Sequence, residues 1–304
     1  MTRVQDLKKI ELPYKLNTHR DAKLIEDKVT DWFKQYCKTK DMEEKYSKER
    51  VSRFSTIVCN YGSFEKVLAI GKLHSYIFAF DDYFESEDVD TVEKLTAILS
   101  TPTMPNVNLG ENDWLLSGFN DAWGAVSKLA PDEWNHKQLN TLINWFKLLQ
   151  FEKKFRNNNV IPSSFEYLTW RPYGLGIDML FHFIEYCSDQ YLSSDTIGDP
   201  LFQAMLYHCR CMIIASNDYY SYHKEKRQGD VINLVMVYQN ELNLSLEQAF
   251  DKVYEYNDKH FKYYLKYREL LQTTVKQDIQ WFLLGLEQLI VGSCEFHFNT
   301  NRYD

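Results

Sequence analysis

Two groups of oxygen-bearing side chains stand out by type and spacing. In FAFDDYFES, residues 78–86, Asp81 and Glu85 lie four apart, so on a helix they share a face with Asp82 beside them. Three carboxylates this close repel one another unless cations neutralise them. Hard oxygen ligands suit Mg2+, which keeps several waters and binds through one or two carboxylates plus substrate phosphates. Acidic pairs at helix ends are also common solvated surface, so DDxxE alone does not decide. The residues ahead of it say more, because His74, Ile77 and Phe78 lie one or two turns earlier on roughly the same face. An apolar wall beneath carboxylates describes the mouth of a cavity better than an outer surface.

The second group is SNDYYSYHKEK, residues 216–226. Asn217, Ser221 and Glu225 fall at i, i+4 and i+8 and point from one helix face with a small drift. An amide oxygen, a hydroxyl and a carboxylate make a mixed oxygen set for one divalent cation. Lys224, beside the last of them, can place an ammonium on a phosphate. At ordinary residue frequencies such a pattern arises by chance roughly once in a thousand chains. The plain alternative is a polar helix terminus with Asn–Ser capping.

The elements that must position these groups read as helices. Only seven prolines and eleven glycines punctuate 304 residues, and they cluster between long segments of helical period. Helix is expected over 21–50, 52–68, 69–84, 111–129 and 133–156, with TPTMPNVNLG (101–110) as a loop. Another helix opens after Ile161-Pro162-Ser163-Ser164 and carries a Pro172, Gly174, Gly176 interruption. Asp199-Pro200 starts a long helix that ends near Gln228-Gly229, with the glycine as C-cap. Ser245-Leu246-Glu247-Gln248 is a capping box, and the last helices run to about 273 and over 275–297. No period-2 strands bounded by turns, internal repeats or linkers interrupt this. The expected fold is all-α: one domain over residues 1–304, a bundle of roughly ten helices around a central cavity.

Composition narrows the function classes. A formal charge of −8 argues against nucleic acid. No run of 18 apolar residues exists, since Glu287 interrupts Trp281–Cys294, so no membrane span is expected. The N-terminus lacks the apolar stretch of a secretory signal, and six cysteines without CxxC spacing suit free thiols in the cytoplasm. An aromatic share of 15% fits either a core or a large apolar cavity.

Together these landmarks resemble a class I terpene synthase of the single-domain microbial type, over about residues 50–304. Asp81-Asp82-Tyr83-Phe84-Glu85 looks like the family's aspartate-rich motif, and NDYYSYHKE (217–225) matches the second metal motif at every defining position. Arg171 stands 46 positions ahead of Asn217, where the family carries its diphosphate-sensing arginine. FHFNTNRY (296–303) ends in Arg302-Tyr303, similar to the family's C-terminal RY pair, with Phe296 where Trp is more usual. One departure is clear: Gly174 holds the place of an Asp that usually links the sensor to the helix break, and Leu175 holds the effector position.

The resemblance implies metal ligation by Asp81, Asp82, Glu85, Asn217, Ser221 and Glu225, with three Mg2+ ions for which Mn2+ can substitute. It implies that Arg171, Leu175, Lys224, Arg302 and Tyr303 act in catalysis, all but Leu175 by contacting diphosphate. Phe78, Ile77 and Phe296 would meet the hydrocarbon, with Trp170, Phe181 and Trp281 as further lining. Asp82 is expected to pair with Arg171, and the tail at Arg302 and Tyr303 to become ordered only on substrate binding. The implied reaction is Mg2+-dependent ionisation of an acyclic prenyl diphosphate, farnesyl before geranylgeranyl or geranyl. Carbocation cyclisation and rearrangement then give a terpene hydrocarbon or alcohol and release diphosphate. The expected partner is that small molecule, with a homodimer left open. An isoprenyl chain-elongating synthase shares the metal logic but should carry a second DDxxD where this chain reads NDYYS. A non-catalytic helical interaction protein would leave both motifs unexplained.

Overall fold

The computed structural model describes residues 7–86, 113–274 and 278–303, which leaves the expected loop at 101–110 outside the described part. The described elements are α1 (Ala22–Lys34), α2 (Lys40–Glu49), α3 (Ser52–Val58), α4 (Phe64–Ser86), α5 (Asp113–Ser127), α6 (Asp132–Asn158) and α7 (Ser164–Gly174). They continue with α8 (Ile177–Ser188), the short α9 (Ser194–Gly198), α10 (Pro200–Gln228), α11 (Leu234–Leu242), α12 (Leu246–Thr274), α13 (Gln280–Asn299) and a 3-10 turn, Asn301–Tyr303. No strand occurs among the described residues. The fold is all-α, as expected.

Local chemistry explains most of the boundaries. Asp199 caps α10 by accepting from Leu201 and Phe202 N–H, and Pro200 takes the first helical position. The helix ends at Gly229, whose φ of 76° is the left-handed C-cap conformation, with Lys226 and Arg227 in the last turn. Ser163 with Glu166, and Ser245 with Gln248, close reciprocal capping boxes. Two expected helices are divided. Thr39 accepts from Met42 N–H and starts a new helix at 40, so 21–50 is α1 and α2. Ser63 hydroxyl accepts from Lys66 N–H after Tyr61-Gly62, so the break falls at 59–63 and not between 68 and 69. Helix α11 lies in a stretch for which no helix was expected.

Helix α10 is the axis of the bundle. It packs along α12 and also touches α7, α9, α11 and α13. Every residue from Cys209 to Tyr222 is buried except Asn217, which is half-buried. A helix enclosed on all faces belongs to an interior. Asn217 is the exception because α10 borders a cavity there. Where α13 crosses α8, Gly285 permits close approach, since a methyl group there would overlap the Ile184 side chain and lie 2.8 Å from the Tyr61 hydroxyl.

Two predictions follow from this packing. In Gly285→Ala the helix-propensity gain, about 1 kcal/mol, is outweighed by overpacking of about 1–3 kcal/mol, so the thermal midpoint should fall. A higher midpoint would show that the crossing has slack. The second concerns histidines. Burial pushes His74 and His297 down to about 3, and burial with His208 and Lys259 does the same to His260. The unfolded chain binds protons at these positions below the ordinary value of 6.5, whereas the folded chain does not. Their stabilisation is therefore complete above pH 6.5 and lost as pH falls toward 3, by at most about 1.4 kcal/mol per histidine per pH unit. Thermal melts of metal-free protein should drop over that window, and His74→Gln should make the fall shallower. An equally steep fall in the variant would show that His74 takes up its proton in the folded state.

Candidate active site

A cavity of about 110 Å³ opens where α4, the α7–α8 junction, α10 and the chain's last turn meet. Asp81, Asn217, Glu225, Arg171, Leu175, Lys224, Arg302 and Tyr303 all border it, as do Ile77 and Phe78. The two motifs therefore face one space, although 136 residues separate Asp81 from Asn217 in the chain. The helix interruption is present: Pro172 lies inside α7, Leu175 follows its end, and Gly176 sits at φ 73° before α8 begins. That dihedral requires glycine or strain at 176.

The second motif has the donors of a hard-cation site. Ser221 is buried and its hydroxyl has no partner. Asn217 donates its amide N–H to the Tyr303 hydroxyl at 3.0 Å, which leaves the amide oxygen as the ligand atom. Glu225 accepts from Asn233 at 2.7 Å, and burial, with Asp230 and Asp218 nearby, raises its carboxyl well above the usual range. An orphan hydroxyl, an amide oxygen and a carboxyl held among other carboxylates fit a divalent cation, whose binding would expel the Glu225 proton. Among the described residues no three of His, Cys, Asp and Glu are placed to hold a metal ion by themselves, so the site depends on its amide and hydroxyl oxygens.

The first motif is neutralised by the tail. Arg302 contacts Asp81 at 3.2 Å, Asp82 at 2.6 and 3.1 Å, and Glu49 at 3.0 Å, with its guanidinium 5.0 Å from the Phe78 ring centre. Lys45 adds a 2.6 Å contact to Asp82. Burial opposes the charge on Asp82, but Arg302 and Lys45 hold its carboxyl below the usual range. Two expectations are corrected here. Asp82 pairs with Arg302 and Lys45 instead of Arg171, because Arg171 is engaged elsewhere. The tail is already docked, with Arg302 and Tyr303 only 6% and 5% exposed, because three carboxylates draw the guanidinium in. Glu85 lies in α4, but its side chain is outside the described part.

Arg171 bridges two buried carboxylates, Glu152 of α6 at 3.1 Å and Asp218 of α10 at 3.6 Å. Burial opposes its charge, while Tyr167, Glu152 and Asp218 hold it protonated above its ordinary value. Asp218 also accepts from the Tyr167 hydroxyl and from Leu234 N–H. The hydrocarbon side needs correction as well. Phe296 stands behind the wall, tilted against Phe54 and Phe78 with ring centres 5.1 and 6.0 Å away, and does not border the cavity. Trp170 packs among Phe151, Phe155 and Tyr167, Phe181 lies beside Arg210, and Trp281 contacts Phe282. Helix phase alone could not tell wall from backing. Phe54, His74 and Trp145 border the cavity instead. Glu152 and Arg156 were missed because FEKKFR reads as a charged, solvated face.

Comparison with known proteins agrees with this geometry. Residues 72–262 match the family described as terpene synthase family 2, C-terminal metal binding. The chain is 22% identical over 298 residues to 10-epi-cubebol synthase of Sorangium cellulosum, covering 94% of each. It is 22% identical over 264 residues to the 4-epi-cubebol synthase ((2E,6E)-farnesyl diphosphate cyclizing) of Streptosporangium roseum, covering 86% of this chain and 80% of that one. The crystal structure of germacradien-4-ol synthase from Streptomyces citricolor superimposes with a TM-score of 0.83 at 17% identity, over 96% and 99% of the two chains. With both metal motifs at one cavity and the family match spanning most of the chain, the protein belongs to terpene synthase family 2 and is a terpene synthase, a carbon–oxygen lyase acting on diphosphates.

Proposed function

We propose that the protein, acting as one domain, ionises farnesyl diphosphate and cyclises the resulting carbocation to a sesquiterpene hydrocarbon or alcohol. The observation that carries this reading is one cavity bordered together by oxygen-bearing side chains, fixed cations and apolar groups. The similarity to a farnesyl diphosphate cyclizing relative supports the chain length.

Asp81, Asn217, Ser221 and Glu225 would hold Mg2+, with Mn2+ as a substitute, and that charge stabilises diphosphate as it leaves. Arg171, Lys224 and Arg302 add fixed positive charge around the same group, and the two arginines can grip phosphate bidentately. One such contact at 4 Å is worth roughly 4 kcal/mol at an effective dielectric of 20. Contacts that strengthen as the C–O bond breaks lower the barrier directly. Tyr303 offers a phenolic O–H to the leaving group. On the hydrocarbon side, Phe54 and Phe78 border the cavity, and an aromatic ring can stabilise a cation over its face by roughly 0.5–2 kcal/mol. His74 and His297 border the cavity as neutral rings, so neither adds a positive charge that would repel the carbocation. The docked tail borders the cavity through Arg302 and Tyr303 and would limit water there. Chain elongation is disfavoured because α10 carries NDYYS in place of a second DDxxD.

Incubation with geranyl, farnesyl and geranylgeranyl diphosphate plus Mg2+ tests this directly. A volatile C15 product should form from farnesyl diphosphate, vanish with EDTA and return with Mg2+, and Glu225→Gln should abolish it without changing helicity. Longer diphosphates as products, or full activity in chelator, would overturn the reading. A second test addresses the tail. Arg302→Ala leaves Asp81, Asp82 and Glu49 without their shared cation, so metal-free stability should fall by about 3 kcal/mol. Turnover should drop sharply, with residual product shifted toward alcohols quenched by water. A variant with wild-type turnover and product profile would remove Arg302 from the mechanism.

A further inference from the structure

Glu152 is among the most enclosed carboxylates of the protein, at 1% exposure. It holds Arg171 Nη1 through both oxygens at 3.1 and 3.4 Å, and Arg156 Nη2 at 3.3 Å. Its other neighbour is backbone. A Cβ on Gly174 would fall 2.5 Å from Glu152 Oε1, whereas the next closest atom, Trp170 Cε3, is at an ordinary 3.5 Å. Gly174 is not in the left-handed region, so its dihedrals do not demand glycine. The space for a side chain at 174 is filled by a carboxylate from another helix.

We propose that Glu152 is a positioning residue that couples Arg171 to the α7–α8 break and so sets Leu175 against the substrate. The inference rests on the function proposed above. Among Arg-Pro-Tyr-Gly-Leu-Gly (171–176) no acidic side chain is available to tie the arginine to the break. Glu152 supplies that carboxylate across the helix interface and meets the segment at two points, the guanidinium at 171 and the backbone at 174. A diphosphate arriving at Arg171 competes with Glu152 for the guanidinium. A carboxylate this enclosed cannot turn to water, so it follows Arg171 or moves toward Arg156, and either displacement reaches Gly174. The break can yield, because Leu175 and Gly176 N–H reach back only to Arg171 and Tyr173 carbonyls at 3.1 and 3.3 Å.

Moving the carboxylate from one helix to the other tests this. Wild type, Glu152→Gln, Glu152→Ala, Gly174→Asp and the double variant Glu152→Ala/Gly174→Asp would be compared for kcat, KM and thermal midpoint with farnesyl diphosphate and Mg2+. Each single variant should lose about 100-fold in kcat, the scale of a misplacement near 1 Å, with KM changed only a few-fold. Gly174→Asp fails because two carboxylates meet. The double variant should regain at least tenfold in kcat over Glu152→Ala, because its carboxylate returns to the same space from the other side. If Glu152 only neutralises two buried arginines, Glu152→Gln melts lower while its folded fraction keeps wild-type kcat, and that result overturns the assignment. A double variant no faster than Glu152→Ala overturns it too. Wild type inactive on all three prenyl diphosphates overturns the proposed function and this inference with it, whereas active wild type beside either result above overturns only Glu152.

Discussion

Enclosed carboxylates need cations within reach, and the active site is built around that constraint. The described site holds Glu49, Asp81, Asp82, Glu152, Asp218 and Glu225 within a few contacts of one another. Two guanidiniums organise most of them: Arg302 gathers three from α2 and α4, and Arg171 joins one from α6 to one from α10. Removing one partner from such a pair costs about 3–5 kcal/mol, more than most single packing changes. Each arginine therefore fixes the relative placement of helices that share no sequence neighbourhood. Among the described residues no guanidinium pairs directly with Glu225, and burial, with Asp230 and Asp218, raises its carboxyl against the opposing pull of Arg171 and Asn233.

The apolar side of the cavity follows the opposite rule. Burial beside hydroxyl partners and no carboxylate keeps His74 and His297 neutral, and tilted and edge-on ring contacts hold the aromatic wall in place. Phe296 matters here although it does not touch the cavity, because it braces both Phe54 and Phe78. Charged side chains, neutral histidines and aromatic rings thus border the same space.

Motif spacing made the Asn217–Glu225 face of α10, Arg171 and the tail pair legible in the sequence as residues at one cavity, because each depends on positions along one helix or on local order. Caps such as Asp199-Pro200 and Ser245–Gln248 were legible for the same reason. What could not be read was partnership across helices. Nothing local distinguishes Glu152 from its solvated neighbours in FEKKFR, and nothing local says that Arg302 and not Arg171 reaches Asp82. The divided helices at 35–39 and 59–63 show the same limit on a smaller scale. Thr39 and Ser63 are ordinary residues until their side chains accept a backbone N–H.

The segment ahead of α1 has a bearing on how this enzyme could be recombined with its relatives. Ile10 N–H donates to the hydroxyl of Tyr220, a residue lying between two metal-motif positions on the closed side of α10. Lys8 lies over Tyr254 of α12, Lys9 pairs with Glu295 of α13, and Asn17 N–H reaches Gln288. The strand of coil is thus stitched to the three helices that back the cavity. A chimera joined just before α1 would inherit the catalytic face from one parent and its rear support from the other. The crossover point, more than the identity of the motifs, would then govern whether the hybrid keeps its shape.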